Sequence, residues 1–292
     1  MSLNLASRPA RLRLIIMTAV LAIAGLLIVG SQAGSARAAT ERTAHAAVTA
    51  GATGAKPTIV LVHGAWADSG SWNAVIALLQ RDGYTVYAAP NPLQGLGVDP
   101  ETIADLLHSI SGPIVLVGHS YGGAVITNAA TGDKQVKALV YVDAFIPAQG
   151  QTIGQLVTAV PGSCAAAPSN LFLVPFPGAP TGVFDAYITQ SAFPSCMANG
   201  LPAAEAQVLA ATQRPLSTIA LGQPSGPPAW KTIPSWAVIG LADHAIPPAE
   251  QLVMARAAHA HITLIPGAPH LSMISNPGIV AAVIIQAARA TS

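Results

Sequence analysis

Ser120 stands in Gly118-His119-Ser120-Tyr121-Gly122-Gly123, directly after the apolar run Ile114-Val115-Leu116-Val117. A hydroxyl with glycine two positions away on either side fits a tight strand-to-helix turn, where larger side chains would collide. A helix starting just after the serine would also aim its N-terminus at any anion formed there. The chemistry this arrangement suits is nucleophilic attack, but a serine hydroxyl near neutral pH needs a base to take its proton.

Eight histidines could supply that base. His45 precedes the folded part, and His108 falls on a helix face. His63 and His119 sit beside the glycines of two turns and are expected to shape those loops. His259 and His261 form an H-x-H pair with no third ligand nearby in sequence, so no metal is expected. His270 differs, because it follows the apolar run Ile262 to Ile265 through Pro-Gly-Ala-Pro and precedes the last helical segment. That puts it in a loop at the carboxyl end of a strand, the same edge as Ser120.

A histidine base needs an anionic partner to fix its tautomer. Asp243 follows the run Ser235 to Ile239 through Gly-Leu-Ala, and Asp143 ends the run Ala138 to Val142. Both fall at the carboxyl edge; in the order serine, acid, histidine the acid comes from a loop after a late strand, which favours Asp243, with Asp143 as its competitor. Acyl transfer also needs donors for the oxyanion. The Tyr121 amide follows the nucleophile, and the loop His63-Gly64-Ala65-Trp66 offers the Ala65 amide as the second donor, with Gly64 allowing close approach.

The elements around these residues alternate. Thr58–Val62 and Ile114–Val117 read as short buried strands, and Thr85–Ala89, Ala138–Val142, Ser235–Ile239 and Ile262–Ile265 as further strands. Ser71–Arg81, Asp99–Ile110, Tyr121–Ala130, Pro248–Ala258 and Pro277–Ala288 read as helices. This order predicts an α/β fold with a doubly wound, mostly parallel sheet covered on both faces. The core is expected over 57–146 and 231–292. Residues 147–230 break the rhythm: they hold four of the five phenylalanines but only three charges, Asp185, Glu205 and Arg214. An excursion there predicts a cap over the strand ends, where such sheets bind ligands.

Composition excludes other classes. Of 292 residues, 52% are hydrophobic and 9% charged, with a net charge of +1. No basic cluster exists outside the N-terminus to neutralise phosphates, so a nucleic-acid partner is not expected. Arg8, Arg11 and Arg13, the apolar run Leu14 to Val29 and Ser35-Ala36-Arg37-Ala38 have the layout of a secretory signal peptide over 1–38, cleaved after Ala38 so that no membrane anchor remains. Residues 39–56 read as a flexible leader, and the product is expected to be secreted. The two cysteines, Cys164 and Cys196, are then expected to pair in an oxidising compartment.

The stretches "LVHGAW", "GHSYGG", "GLADHAIPP" and "GAPHLSMISNP" resemble, in that order, the oxyanion loop, nucleophile turn, acid loop and base loop of the α/β-hydrolase superfamily. The likeness covers about Thr58 to Ala288 and is strongest to the compact branch that holds plant methylesterases, salicylate-binding proteins, hydroxynitrile lyases and bacterial small-ester hydrolases. It implies a cofactor-free Ser-His-Asp mechanism on a small-molecule ester. Leu271 and Gly64 stand where the lyases carry lysine and threonine, which is the esterase-like choice. An exported esterase for neutral esters with apolar acyl or aromatic groups is the expectation. A lipase, a cofactor-free perhydrolase or haloperoxidase, a hydroxynitrile-lyase-like enzyme and a non-catalytic binder are the alternatives on the same fold.

Overall fold

The computed structural model describes residues 56–291. The signal peptide, all of the leader but Lys56, and His45 lie outside the described residues. Six strands form one sheet: β1 (Thr58–Val62), β2 (Val86–Ala89), β3 (Ile114–His119), β4 (Val136–Val142), β8 (Ser235–Gly240) and β9 (His261–Ile265). Their order is β2-β1-β3-β4-β8-β9, and every pairing is parallel. All six carboxyl ends therefore open on one edge.

The inner strands β1, β3, β4 and β8 are largely buried on both faces, so their apolar side chains alternate between two cores, while the edge strands β2 and β9 are partly exposed. Val60, Val62, Leu116 and Leu139 pack on one face with α2 (Asp99–His108), α3 (Tyr121–Ala129) and α7 (Pro248–Ala257). Ile59, Leu61, Val117 and Val140 pack on the other with α1 (Asn73–Arg81) and α9 (Pro277–Ala290). The first helical stretch begins earlier than expected, as a 3-10 turn over Ser69–Trp72 capped by the Asp68 carboxylate. β3 runs two residues further than its apolar run, because pairing with β4 carries it on to His119 opposite Val142.

The insertion between β4 and β8 is more ordered than its sequence suggests. It holds α4 (Ile153–Ala159), α5 (Phe193–Cys196) and α6 (Ala203–Thr212), with a small antiparallel sheet of β5 (Leu171–Val174), β6 (Asp185–Ile188) and β7 (Leu216–Ser217). These strands are two to four residues long, and β5 is exposed or half-exposed throughout, so no hydrophobic alternation marks it. Cys164 and Cys196 are disulfide-bonded within the insertion. A short helix, α8 (Ser272–Ser275), precedes α9. No helix among the described residues is long and apolar enough to cross a membrane.

Candidate active site

The strand ends bring Ser120, His270 and Asp243 into a single hydrogen-bonded chain. Ser120 Oγ lies 2.9 Å from His270 Nε2, and His270 Nδ1 lies 2.8 Å from Asp243 Oδ2. All three residues are buried. Nδ1 donates to the carboxylate, which leaves Nε2 as an acceptor for the serine hydroxyl. Burial alone would push the His270 imidazole down; the charge and hydrogen bond of Asp243, with a further pull from Asp143, carry it above its ordinary value.

The turn at Ser120 is strained, with φ +54° on a residue that is not glycine. The glycines make it possible. A Cβ on Gly118 would lie 2.5 Å from the Gly122 carbonyl oxygen, and one on Gly122 would lie 2.6 Å from the Val62 carbonyl oxygen. Gly64 plays the same part from the β1 loop, since its Cβ would meet Ser120 Cβ at 2.5 Å and the Tyr121 nitrogen at 3.0 Å. That contact sets the Gly64-Ala65 backbone against the start of α3.

Asp243 is held from several sides. Its Oδ1 accepts from the Ala245 and Ile246 amides at 2.8 and 2.9 Å, and its Oδ2 accepts from Gln251 Nε2 at 2.7 Å as well as from His270. Asp143 makes no hydrogen bond to His270; its carboxylate accepts instead from the Gly240 amide and from Ser272. His119 donates from Nε2 to the His270 carbonyl oxygen at 3.0 Å, and burial, then the neighbouring His270, keeps it neutral. His63 donates from Nδ1 to the Gly64 carbonyl oxygen and accepts from the Asn91 amide. Burial lowers its pKa to about 4, with Arg214 acting in the same direction. Both histidines thus fasten loops. His261 packs against the Trp236 ring, and among the described residues no three His, Cys, Asp or Glu side chains group as metal ligands.

Serine, imidazole and carboxylate in one chain at the carboxyl edge of a parallel sheet agree with the comparison against known families, where the model of the alpha/beta hydrolase family matches residues 59–283. The chain belongs to that family. Among curated relatives, a carbendazim hydrolyzing esterase from Nocardioides sp. strain SG-4G is 37% identical over 113 residues, which cover 34% of this chain and 46% of that one. A pyrethroid hydrolase from Sphingobium wenxiniae is 36% identical over 106 residues, covering 32% and 38%. The alignments span under half the length of either relative. Among solved structures, a pyrethroid hydrolase from Sphingobium faniae JZ-2 is 25% identical with a TM-score of 0.61, covering 80% of this chain and 98% of that one.

In this alpha/beta hydrolase the serine opens on a cavity of about 220 Å³. Ala65, Trp66, Ser120 and Tyr121 form its floor, and Ile153, Val157, Leu171, Leu216, Phe145 and Ile246 are among its apolar walls. No charged side chain is among the described residues that line it. The Tyr121 hydroxyl is turned away into the core, where it donates to Asp99 Oδ2 at 2.9 Å. Asp99, the first residue of α2, is buried and also accepts from the Gln94 and Gly95 amides. Burial raises its pKa, opposed by those bonds and by Arg214. Gln251, like Asp99, carries no local signal of its part; it lies eight positions after Asp243, on the helix that the acid loop opens.

Proposed function

We propose that this chain is an exported serine esterase that hydrolyses neutral carboxylic esters with apolar acyl or aromatic groups. The observation that carries this reading is the Ser120–His270–Asp243 chain of hydrogen bonds opening on an uncharged apolar cavity. Ser120 Oγ attacks the ester carbonyl carbon while its proton passes to His270 Nε2. Asp243 keeps the proton of Nδ1 in place and stabilises the imidazolium. The Ala65 and Tyr121 amides hold the oxyanion, beside Ser120 on the cavity floor. Collapse expels the alcohol, which takes the proton from Nε2 and leaves an acyl-serine. Water then attacks that acyl group, gives its proton to His270, and Ser120 and the carboxylic acid are released. No metal or organic cofactor enters these steps.

The named activities of the curated relatives, one an esterase and one a pyrethroid hydrolase, support the ester class. The cavity, below the ~300 Å³ where drug-sized pockets begin, favours short to medium acyl groups. Export is supported by the paired cysteines, since such bonds persist in oxidising compartments. A series of p-nitrophenyl esters tests the reading. Each buried methylene adds up to ~0.8 kcal/mol, so kcat/KM rises up to about fourfold per carbon until the cavity is full and then falls. Ser120→Ala abolishes turnover by on the order of 10⁴-fold or more. Activity in Ser120→Ala refutes the mechanism. A rate that climbs through long chains and jumps at an oil–water interface replaces the esterase with a lipase, and a preference for anionic esters refutes the apolar pocket.

A further inference from the structure

Asp143 is fully buried at the end of β4 and is absent from the cavity wall. Its Oδ1 accepts from the Gly240 amide at 2.7 Å, at the last residue of β8 and three positions before Asp243. Its Oδ2 accepts from the Ser272 amide at 3.2 Å and from the Ser272 hydroxyl, two positions after His270. The backbone around it is equally committed. The Asp143 amide donates to the Val238 carbonyl oxygen, the Ser120 amide donates to that of Val142, and the Phe145 amide donates to that of Ser120. The residue also holds φ at +45°, a conformation that a non-glycine residue keeps only where its surroundings fix it. Burying a carboxylate here is costly, and burial together with the Asp243 charge raises its pKa to about 7. Glycine would hold this left-handed backbone without burying a charge if the turn were all that the fold required.

We propose that Asp143 is a positioning residue: one carboxylate that ties the loop carrying Asp243 to the loop carrying His270, from a strand end already bonded to the Ser120 turn. The three reacting side chains leave the sheet from three different strands; the Ala242 amide donates to the Ala268 carbonyl oxygen between the acid and base loops, and His119 joins the Ser120 turn to the base loop, but neither contact reaches all three. Asp143 spans all three and fixes their mutual distance. A small rotation of the His270 loop would lengthen the Nε2–Oγ contact, and misplacements of about 1 Å can cost on the order of 100-fold in rate.

This inference rests on the proposed Ser120–His270–Asp243 mechanism. Its test is Asp143→Asn in the full chain, assayed with a short-chain p-nitrophenyl ester. Asparagine tolerates the left-handed backbone. It can still accept from Gly240, but its amide group then meets the donating Ser272 N–H. The expected result is a kcat lower by about 10- to 100-fold, with KM within about twofold, because no atom of Asp143 touches substrate. Labelling of Ser120 by a fluorophosphonate slows by the same factor, since it needs the same alignment. Ser272→Ala, which removes only the hydroxyl donor, lowers kcat by about threefold or more, and the double variant loses less than the product of the two single effects. A parent-like kcat in Asp143→Asn, or a loss confined to KM, overturns the proposal. Should Asp143→Asn fail to fold, an unchanged kcat in Ser272→Ala overturns it. An active Ser120→Ala would instead mean that the underlying mechanism is wrong, so the two failures are told apart.

Discussion

Replacing Cys164 and Cys196 with alanine cuts a covalent tie between residues 32 apart in sequence. In the chain-entropy treatment the open loop returns freedom to the unfolded chain, about 3.7 kcal/mol at 25 °C for a closure of that length. For a domain of this size each kcal/mol lost lowers Tm by about 2–4 °C, so the paired variant should melt roughly 7–15 °C below the parent. Alanine is the better probe because Cys196 is buried among Phe193 and Met197, where a serine hydroxyl would add a cost of its own. The lesion also has a local reading. The Cys164 amide donates to the His244 carbonyl oxygen at 2.8 Å, and Ser163 Oγ donates to that of Ala245 at 2.6 Å, while Ala165 and Ala166 line the cavity. With the anchor to Cys196 gone, this segment loosens on the cavity side, and KM for an apolar ester rises several-fold while kcat changes by less than about twofold. Calorimetry with steady-state kinetics decides it. A Tm within about 2 °C of the parent refutes the stability argument, and a loss in kcat at constant KM refutes the assignment of the segment to substrate contact.

Three further outcomes follow from the site. Asp243→Asn takes away the anion that fixes the His270 tautomer and should lower kcat by about 10⁴-fold, far more than Asp143→Asn; the reverse ranking would exchange the roles of the two acids. Because His270 must be neutral to accept the serine proton and its pKa is raised, kcat/KM should be lost as pH falls, with a midpoint above the ordinary 6.5 of histidine; a midpoint below that value contradicts the arrangement. Gly64→Ala puts a Cβ 2.5 Å from Ser120 Cβ and should displace the Ala65 amide, with a loss in kcat of about 10²-fold or more, as when one oxyanion donor is removed; full activity would show that the β1 loop is not where the oxyanion sits.

The parts of this molecule that read plainly in sequence are those whose causes are local. Buried strands announce themselves as short β-branched runs, and Gly118 and Gly122 are needed within two residues of the serine they serve. His270 and Asp243 follow from the direction of the strands that precede them. What stayed hidden depends on separation in the chain. The partners of Asp143 lie 97 and 129 positions away, so that it reads as a rival acid and not as a tie between loops. Asp99 finds Tyr121 22 positions on, through the core. The insertion was opaque for another reason: β7 has two residues, β5 and β6 have four each, and the α6 run AAEAQVLAAT has alanine on every face, so neither period 2 nor period 3.6 emerges.

The cavity is assembled from two unlike sources. Ser120, His270 and Asp243 hang from β3, β9 and β8, while Ile153, Val157, Leu171 and Leu216 belong to one uninterrupted stretch between β4 and β8. Reactivity and selectivity are thereby inherited separately. Drift within that stretch can recast the shape presented to a substrate while the proton path is left untouched, and a grafted stretch from a relative could carry its preferences with it. For directed evolution, a library confined to these four wall positions explores new esters at little risk to the chemistry.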